Sequence, residues 1–290
     1  MKKNLIISLS SLALTPLAFS ANIFVLAPGG AGSNILSSFD TAVGASSRTN
    51  VPVSGLAPGE SLVGLDYRPA NGVTYGISNT NNIYTVNTNS GSLTQLGATL
   101  SPGLSGTNFG FDFNPAFMGG QFARIISNTD NNRVVDGDNG GYLGTVEKTG
   151  VFYGSGDLNE GNDPAINHIA YTNSLFGATS TQQFGIDSDL NILTTVANNA
   201  GTLATVGGLG VNASAIGGFD IDGATGEAFA VFGNPGGLTS TVYSIDLGNG
   251  SASELFTFQG GAFGLTSVPE PSSMLLTGLA SLIFLGRRKR

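Results

Sequence analysis

LVGLDYRPANGVTYGISNTNNIYTVNTNSGSLTQLG, residues 62–97, is the stretch from which the fold can be read. Leu62 to Tyr67 is strand-like, and Pro69-Ala70-Asn71-Gly72 turns the chain. Val73 to Ile77 forms a second strand and Asn82 to Val86 a third. Ser92 to Leu96 follows as a fourth, after the Asn89-Ser90-Gly91 turn. Short apolar runs bounded by Asn-Gly, Pro-Gly and Ser-Gly punctuation read as antiparallel strands joined by tight turns. No long helical periodicity interrupts the chain between residues 22 and 268.

The four-strand unit recurs. Its opening strand carries Gly-apolar-Asp at Gly64-Leu65-Asp66, Gly110-Phe111-Asp112 and Gly218-Phe219-Asp220. A degenerate copy is His168-Ile169-Ala170, followed by Tyr171 as Asp66 is followed by Tyr67. A fifth is Gly264-Leu265-Thr266. The intervals are 46, 58, 50 and 46 residues. Units of that length with four strands each are blades of a β-propeller. The extra length of the 58-residue interval is expected in the polar stretch Gly154 to Pro164. The fifth unit has an opening strand and no more, whereas Asn22 to Leu26, Asn34 to Phe39 and Asn50 to Ser54 supply three strands with no opener. Joined, the two fragments complete one blade and remove the edges that an open array would expose. The expected fold is therefore all-β, a five-bladed β-propeller over residues 21–267 closed by N- and C-terminal strands. A pair of β-sandwiches or an open β-array is the competing arrangement.

Composition narrows the chemistry. Of 290 residues, 44 are glycine and only 10% are charged. Six of the 11 cations lie in the two ends; residues 21–268 keep Arg48, Arg68, Arg124, Arg133 and Lys148 against 18 acids, a net charge of −13. Such a surface repels phosphate backbones, so nucleic acid is not an expected partner. Cysteine is absent, which excludes disulfides, thiolate metal sites and Cys nucleophiles. His168 is the single imidazole.

Both ends read as targeting segments. Residues 1–20 have a cationic start at Lys2 and Lys3, an apolar stretch from Leu5 to Leu17, and Ala18-Phe19-Ser20, so signal peptidase is expected to cut between Ser20 and Ala21. Residues 268–290 place Val268-Pro269-Glu270-Pro271 before an apolar run from Met274 to Gly286 and the cations Arg287 to Arg290. Cations directly after an apolar run hold a terminus in the cytoplasm. The run is short for a stable span, so a transient inner-membrane helix is expected, with a permanent anchor as the competing reading. This tail resembles the PEP-CTERM sorting signal. That resemblance implies a Gram-negative bacterium, cleavage near Pro-Glu-Pro by an exosortase-type enzyme, exposure at the cell surface or beyond, and company with exopolysaccharide.

The body resembles the bacterial family called domain of unknown function 4394. The likeness rests on Gly64-Leu65-Asp66-Tyr67-Arg68-Pro69 with Tyr75-Gly76, and on Asn114-Pro115 followed by Arg124 and Ser127-Asn128. It continues through Ala170-Tyr171-Thr172-Asn173, Phe184-Gly185-Ile186-Asp187 and Asn199-Ala200-Gly201-Thr202-Leu203. It implies a propeller-like fold and export, and carries no activity with it.

Asp66, Asp112 and Asp220 hold equivalent places on three opening strands, which line the channel of a propeller. They are the candidate metal ligands, and Ca²⁺ is the ion that such oxygens suit. The alternative, favoured because the remaining equivalents are Ala170 and Thr266, is that each carboxylate accepts backbone N–H bonds from a turn or a neighbouring blade. Asp136-Gly137-Asp138-Asn139-Gly140 and Asp220-Ile221-Asp222-Gly223 look like calcium loops but lack the closing Glu, and Asp or Asn before Gly is ordinary hairpin chemistry. His168 has no recognisable orienting partner and reads as structural. No Gly-x-Ser-x-Gly elbow is present. The functional expectation is an exported, non-enzymatic surface or matrix binding module without a cofactor. The alternative is an extracytoplasmic glycan lyase or hydrolase that uses the channel carboxylates.

Overall fold

The computed structural model describes residues 20–29, 34–234 and 236–269. The body of the signal peptide, Glu270, Pro271 and the hydrophobic run lie outside the described residues. Among the described residues, twenty strands form five sheets. Blade 1 consists of β4 (Leu62–Arg68), β5 (Val73–Ser78), β6 (Ile83–Val86) and β7 (Leu93–Leu96), hydrogen-bonded in that order. These match the sequence reading to within a residue or two.

Blade 2 has β8 (Phe109–Phe113), β9 (Phe122–Ser127) and β10 (Asn132–Asp136). Blade 3 has β12 (Ile166–Tyr171), β13 (Gln183–Asp187), β14 (Ile192–Val196) and β15 (Thr202–Gly208). Blade 4 has β16 (Gly217–Ile221), β17 (Ala228–Gly233), β18 (Thr239–Ile245) and β19 (Ala252–Gln259).

The closing blade joins both ends of the chain. β20 (Gly264–Val268) lies beside β1 (Asn22–Pro28), followed by β2 (Asn34–Asp40) and β3 (Thr49–Pro52). β20 and β1 are antiparallel, in register from Asn22 opposite Val268 to Leu26 opposite Gly264. Val268, read from the sequence as the start of the sorting motif, is thus also the last residue of the closing strand.

Blades 2 and 3 depart from the four-strand rule. After β10 the chain makes a single bridge, Val135 to Tyr142, and then leaves. It supplies β11 (Phe152–Tyr153) as a fifth, parallel strand on the outside of β15. The long interval is therefore spent on a strand exchanged between blades as well as on the polar stretch that follows it.

The inner strands β20, β4, β8, β12 and β16 neighbour one another in a closed circuit. The core is divided correspondingly. Five apolar clusters each lie between two adjacent blades, for example Tyr75, Phe111 and Phe113 between blades 1 and 2, and Leu26, Leu65 and Tyr84 between the closing blade and blade 1. Glycine in the repeat mark has a steric cause. A Cβ on Gly110 would meet the Ile169 backbone nitrogen at 2.8 Å, and one on Gly218 would meet that of Leu265 at 2.2 Å. At Gly110 and Gly218 the inner strands approach too closely for a side chain.

Candidate functional site

Asp66, Asp112 and Asp220 converge on the axis, 3–4% exposed. One carboxylate oxygen from each lies within 4.8 Å of the others. Their hydrogen bonds follow a rule around the ring. Phe113 N–H donates to Asp66 Oδ2 at 2.7 Å, Tyr171 N–H to Asp112 Oδ1 at 3.3 Å, and Ser267 N–H to Asp220 Oδ2 at 2.6 Å. In each case the donor is the residue just after the equivalent position on the next inner strand.

Thr266 obeys the same rule with a hydroxyl. It accepts from Tyr67 N–H at 2.9 Å and donates to Asp220 Oδ2 at 3.0 Å. Ala170 cannot accept, and the amide it would have served, Ile221 N–H, is taken at 2.6 Å by the carboxylate of Asp220 itself. The sequence alone made Ala170 and Thr266 look like equal defects. Four of the five positions nevertheless carry an acceptor, and the fifth is compensated.

These bonds do not neutralise the cluster. Burial, followed by the charge of Asp220, holds the Asp66 carboxyl well above the ordinary range. Burial, followed by Asp66 and Asp220, does the same to Asp112. Burial pushes Asp220 up to about 7 against the N–H bonds from Ser267 and Ile221. Near neutrality the triad therefore stores protons, because three charges this close in a dry site repel strongly. The same oxygens have the span of a cation site, since metal–oxygen bonds of about 2.3–2.6 Å place opposed ligands roughly 5 Å apart.

Beside the carboxylates, the axis narrows to a cavity of about 20 Å³ lined by Gly64, Gly110, His168, Gly218 and Gly264, room for about one water molecule. His168 is buried, and its Nε2 lies 2.9 Å from the Ser214 carbonyl. Burial holds its pKa down to about 4, so the imidazole is neutral. The two supposed calcium loops are turns. Asp136 Oδ1 accepts from Asp138 N–H, and Asp222 Oδ1 from Ala224 and Thr225 N–H.

A second site was not visible in the sequence. Between blades 2 and 3 lies a cavity of about 170 Å³ lined by Asn114, Phe117, Arg124, Lys148, Tyr171 and Asn199, among others. Arg124 is 5% exposed. It donates to Tyr171 Oη and Asn199 Oδ1 at 2.9 Å and to the Asn132 side chain. The residues that form it come from β8–β10, the departing segment, β12 and the β14–β15 turn. Only the identities of Asn114, Arg124, Tyr171 and Asn199 as family-like residues hinted at it.

Comparison with known proteins places the chain. The family model for a domain of unknown function, DUF4394, spans residues 35–266. The chain belongs to that family. In this DUF4394 protein a PEP-CTERM protein-sorting motif occupies residues 267–290. The protein is accordingly exported, membrane-anchored as a precursor and then displayed at the surface, after processing by an exosortase-type enzyme. No curated protein matches it.

Among solved structures, it is similar to a structural genomics protein of unknown function from Bacteroides thetaiotaomicron (13% identity, TM-score 0.46, 82% of this chain and 58% of that one). It is also similar to TolB from Acinetobacter baumannii (12%, 0.45, 86% and 67%) and to the WD40 domain of Toxoplasma gondii coronin (11%, 0.39, 83% and 57%). The chain thus spans 58% of the length of the first of these.

Proposed function

We propose that this DUF4394 protein is a non-enzymatic binding module of the bacterial surface or extracellular matrix, with exopolysaccharide as its company. The observation that carries the reading is the commitment of the axial carboxylates. Glycoside hydrolysis needs two carboxyl groups about 5–9.5 Å apart across an open, substrate-sized groove. Asp66, Asp112 and Asp220 are instead buried, with one oxygen of each within 4.8 Å of the others, beside a cavity of about 20 Å³, each accepting an N–H of the next blade or its own strand. Bonds that tie one blade to the next support a structural part for these carboxylates rather than a catalytic one. His168, the only imidazole, is likewise spent on a backbone carbonyl.

A panel of surface glycans offered to the purified protein tests this, with binding and turnover both measured. Binding without product is expected. Turnover that vanishes in Asp66→Asn or Asp112→Asn would establish an enzyme instead.

The 4.8 Å span of the cluster favours one further reading, a structural Ca²⁺ on the ring axis. Under it, Ca²⁺ raises the melting temperature of the wild type at pH 8, and chelation lowers it. Equal melting with Ca²⁺ and with chelator removes the ion.

A further inference from the structure

We propose that the cavity between blades 2 and 3 is a binding site for a carboxylate-bearing ligand of sugar size. The proposal deepens the binding-module reading and rests on it. Residues 21–268 carry five cations against 18 acids. Two of the cations, Arg124 and Lys148, line this one cavity, and no acid lines it. Each of the others has a different engagement. Arg68 pairs with Asp138 at 2.6 Å and Arg133 with Glu147 at 2.8 Å. Arg48 packs over the Phe39 and Phe258 rings.

Among the described residues, Arg124 has no carboxylate within ion-pair distance, although it is almost wholly buried. Its protein partners are neutral oxygens of Tyr171, Asn132 and Asn199. A buried charge is costly unless an opposite charge accompanies it. In so acidic a protein, a buried guanidinium without a counter-ion marks a place where the counter-ion arrives from outside.

The chemistry of the walls narrows the class. A guanidinium has five donors in a planar fork that matches a carboxylate. Three of them are oriented by Tyr171, Asn132 and Asn199, which fixes the fork before a ligand enters. Lys148 Nζ is held by the carbonyls of Leu143 and Thr145 at 2.9 and 2.6 Å, and supplies a second positive charge. Phe117, 43% exposed, and Phe122 pack with ring centroids 5.4 Å apart on the same wall. An apolar face beside a cationic end suits a ring that carries an acid group on one side and C–H bonds on another. The volume of about 170 Å³ admits one such unit and no folded macromolecule. The unit is either a free sugar acid or an acidic residue of a glycan chain that enters from the surface.

Calorimetric titration of the full-length protein distinguishes these cases. The probes are glucuronate, glucose as its uncharged counterpart, inorganic phosphate, and a glucuronate-containing oligosaccharide. Glucuronate is expected to bind and glucose not to. Lys148→Gln, a substitution at a partly exposed side chain, should weaken glucuronate binding about 10- to 150-fold, the range of one charge-assisted hydrogen bond. Arg124→Lys keeps the charge, loses the fork and should weaken it further, with melting temperature as the check that the variant is folded.

Tighter binding of the oligosaccharide assigns the site to a glycan; equal binding assigns it to the free acid. Absence of glucuronate binding, equal binding of glucose, stronger binding of phosphate, or indifference to Lys148→Gln each overturns the site. Turnover of the bound oligosaccharide would leave the site standing and overturn the non-enzymatic reading alone.

Discussion

Replacing Asp112 by Asn tests whether the axial carboxylates load the fold with charge. An asparagine oxygen can still accept from Tyr171 N–H, the bond that Asp112 Oδ1 makes, so the change removes mainly a charge. Asp220 sets the scale, pushed up to about 7 in the folded protein from an ordinary 3.8. A carboxyl with a raised native pKa keeps its proton after the unfolded chain has released one. Stability is then greatest at low pH and falls as pH rises through the native value. At 1.36 kcal/mol per unit, a site like Asp220 loses about 3 kcal/mol between pH 5 and pH 8.

His168 acts in the opposite sense. Held down to about 4 from 6.5, it lets the unfolded chain bind the proton first, and removes about 2 kcal/mol as pH falls from 6.5 to 5. His168 offsets only part of what the three carboxyls lose as pH rises, and the difference between variant and wild type, from which His168 cancels, is the quantity to read. With chelator present, the margin of Asp112→Asn over the wild type should be wider at pH 8 than at pH 5, by about 3 kcal/mol on the scale set by Asp220. That is about 6–12 °C in melting temperature at this chain length, measured by differential scanning calorimetry. A difference that is the same at both pH values, or a variant less stable at pH 8, refutes the reasoning.

Three other outcomes follow from the ring. Gly218→Ala drives a Cβ to 2.2 Å from the Leu265 backbone nitrogen, whereas Gly264→Ala meets nothing nearer than 3.4 Å; urea denaturation should find the first strongly destabilised or unfolded and the second within about 1 kcal/mol of wild type. Thr266→Val keeps the shape but strands Tyr67 N–H and removes the hydroxyl from Asp220, a loss of about 1–3 kcal/mol; a change below 0.5 kcal/mol by the same assay sinks the hydroxyl's role. A chain ending at residue 263 lacks β20 and leaves one edge of β1 unpaired, so light scattering should show aggregation, while a chain ending at 269 stays monodisperse.

Much of this architecture could be read because the repeat mark has a direct steric and electrostatic meaning. Glycine permits the close approach of inner strands, and aspartate supplies the acceptor that links each to the next. Leu62 to Leu96 displays the whole unit, and the complementary defects at Asn22 and Gly264 announce the closure. Other features have no local signature. Thr266 does the work of a carboxylate through a hydroxyl whose partners lie about 46 and 199 residues away. The parallel pairing of β11 with β15 involves two residues from each strand, too few to impose a pattern. The Arg124 cavity draws its walls from four separated segments, and nothing in any one of them shows that the guanidinium lacks a counter-ion.

The pairing of β1 with β20 also constrains when folding can finish. The first strand made must wait for the last, and contacts so distant in sequence are slow to form because loop-closure entropy precedes any reward. Blades 1 to 4 can assemble from neighbouring segments, but the closing sheet needs residues 264–268, which lie against the sorting motif at 267–290. Until those residues are clear of the translocation machinery, β1 is an unmatched edge. Because the sorting motif begins at residue 267, a cut beyond Pro269 would leave every residue of the closing strand in place.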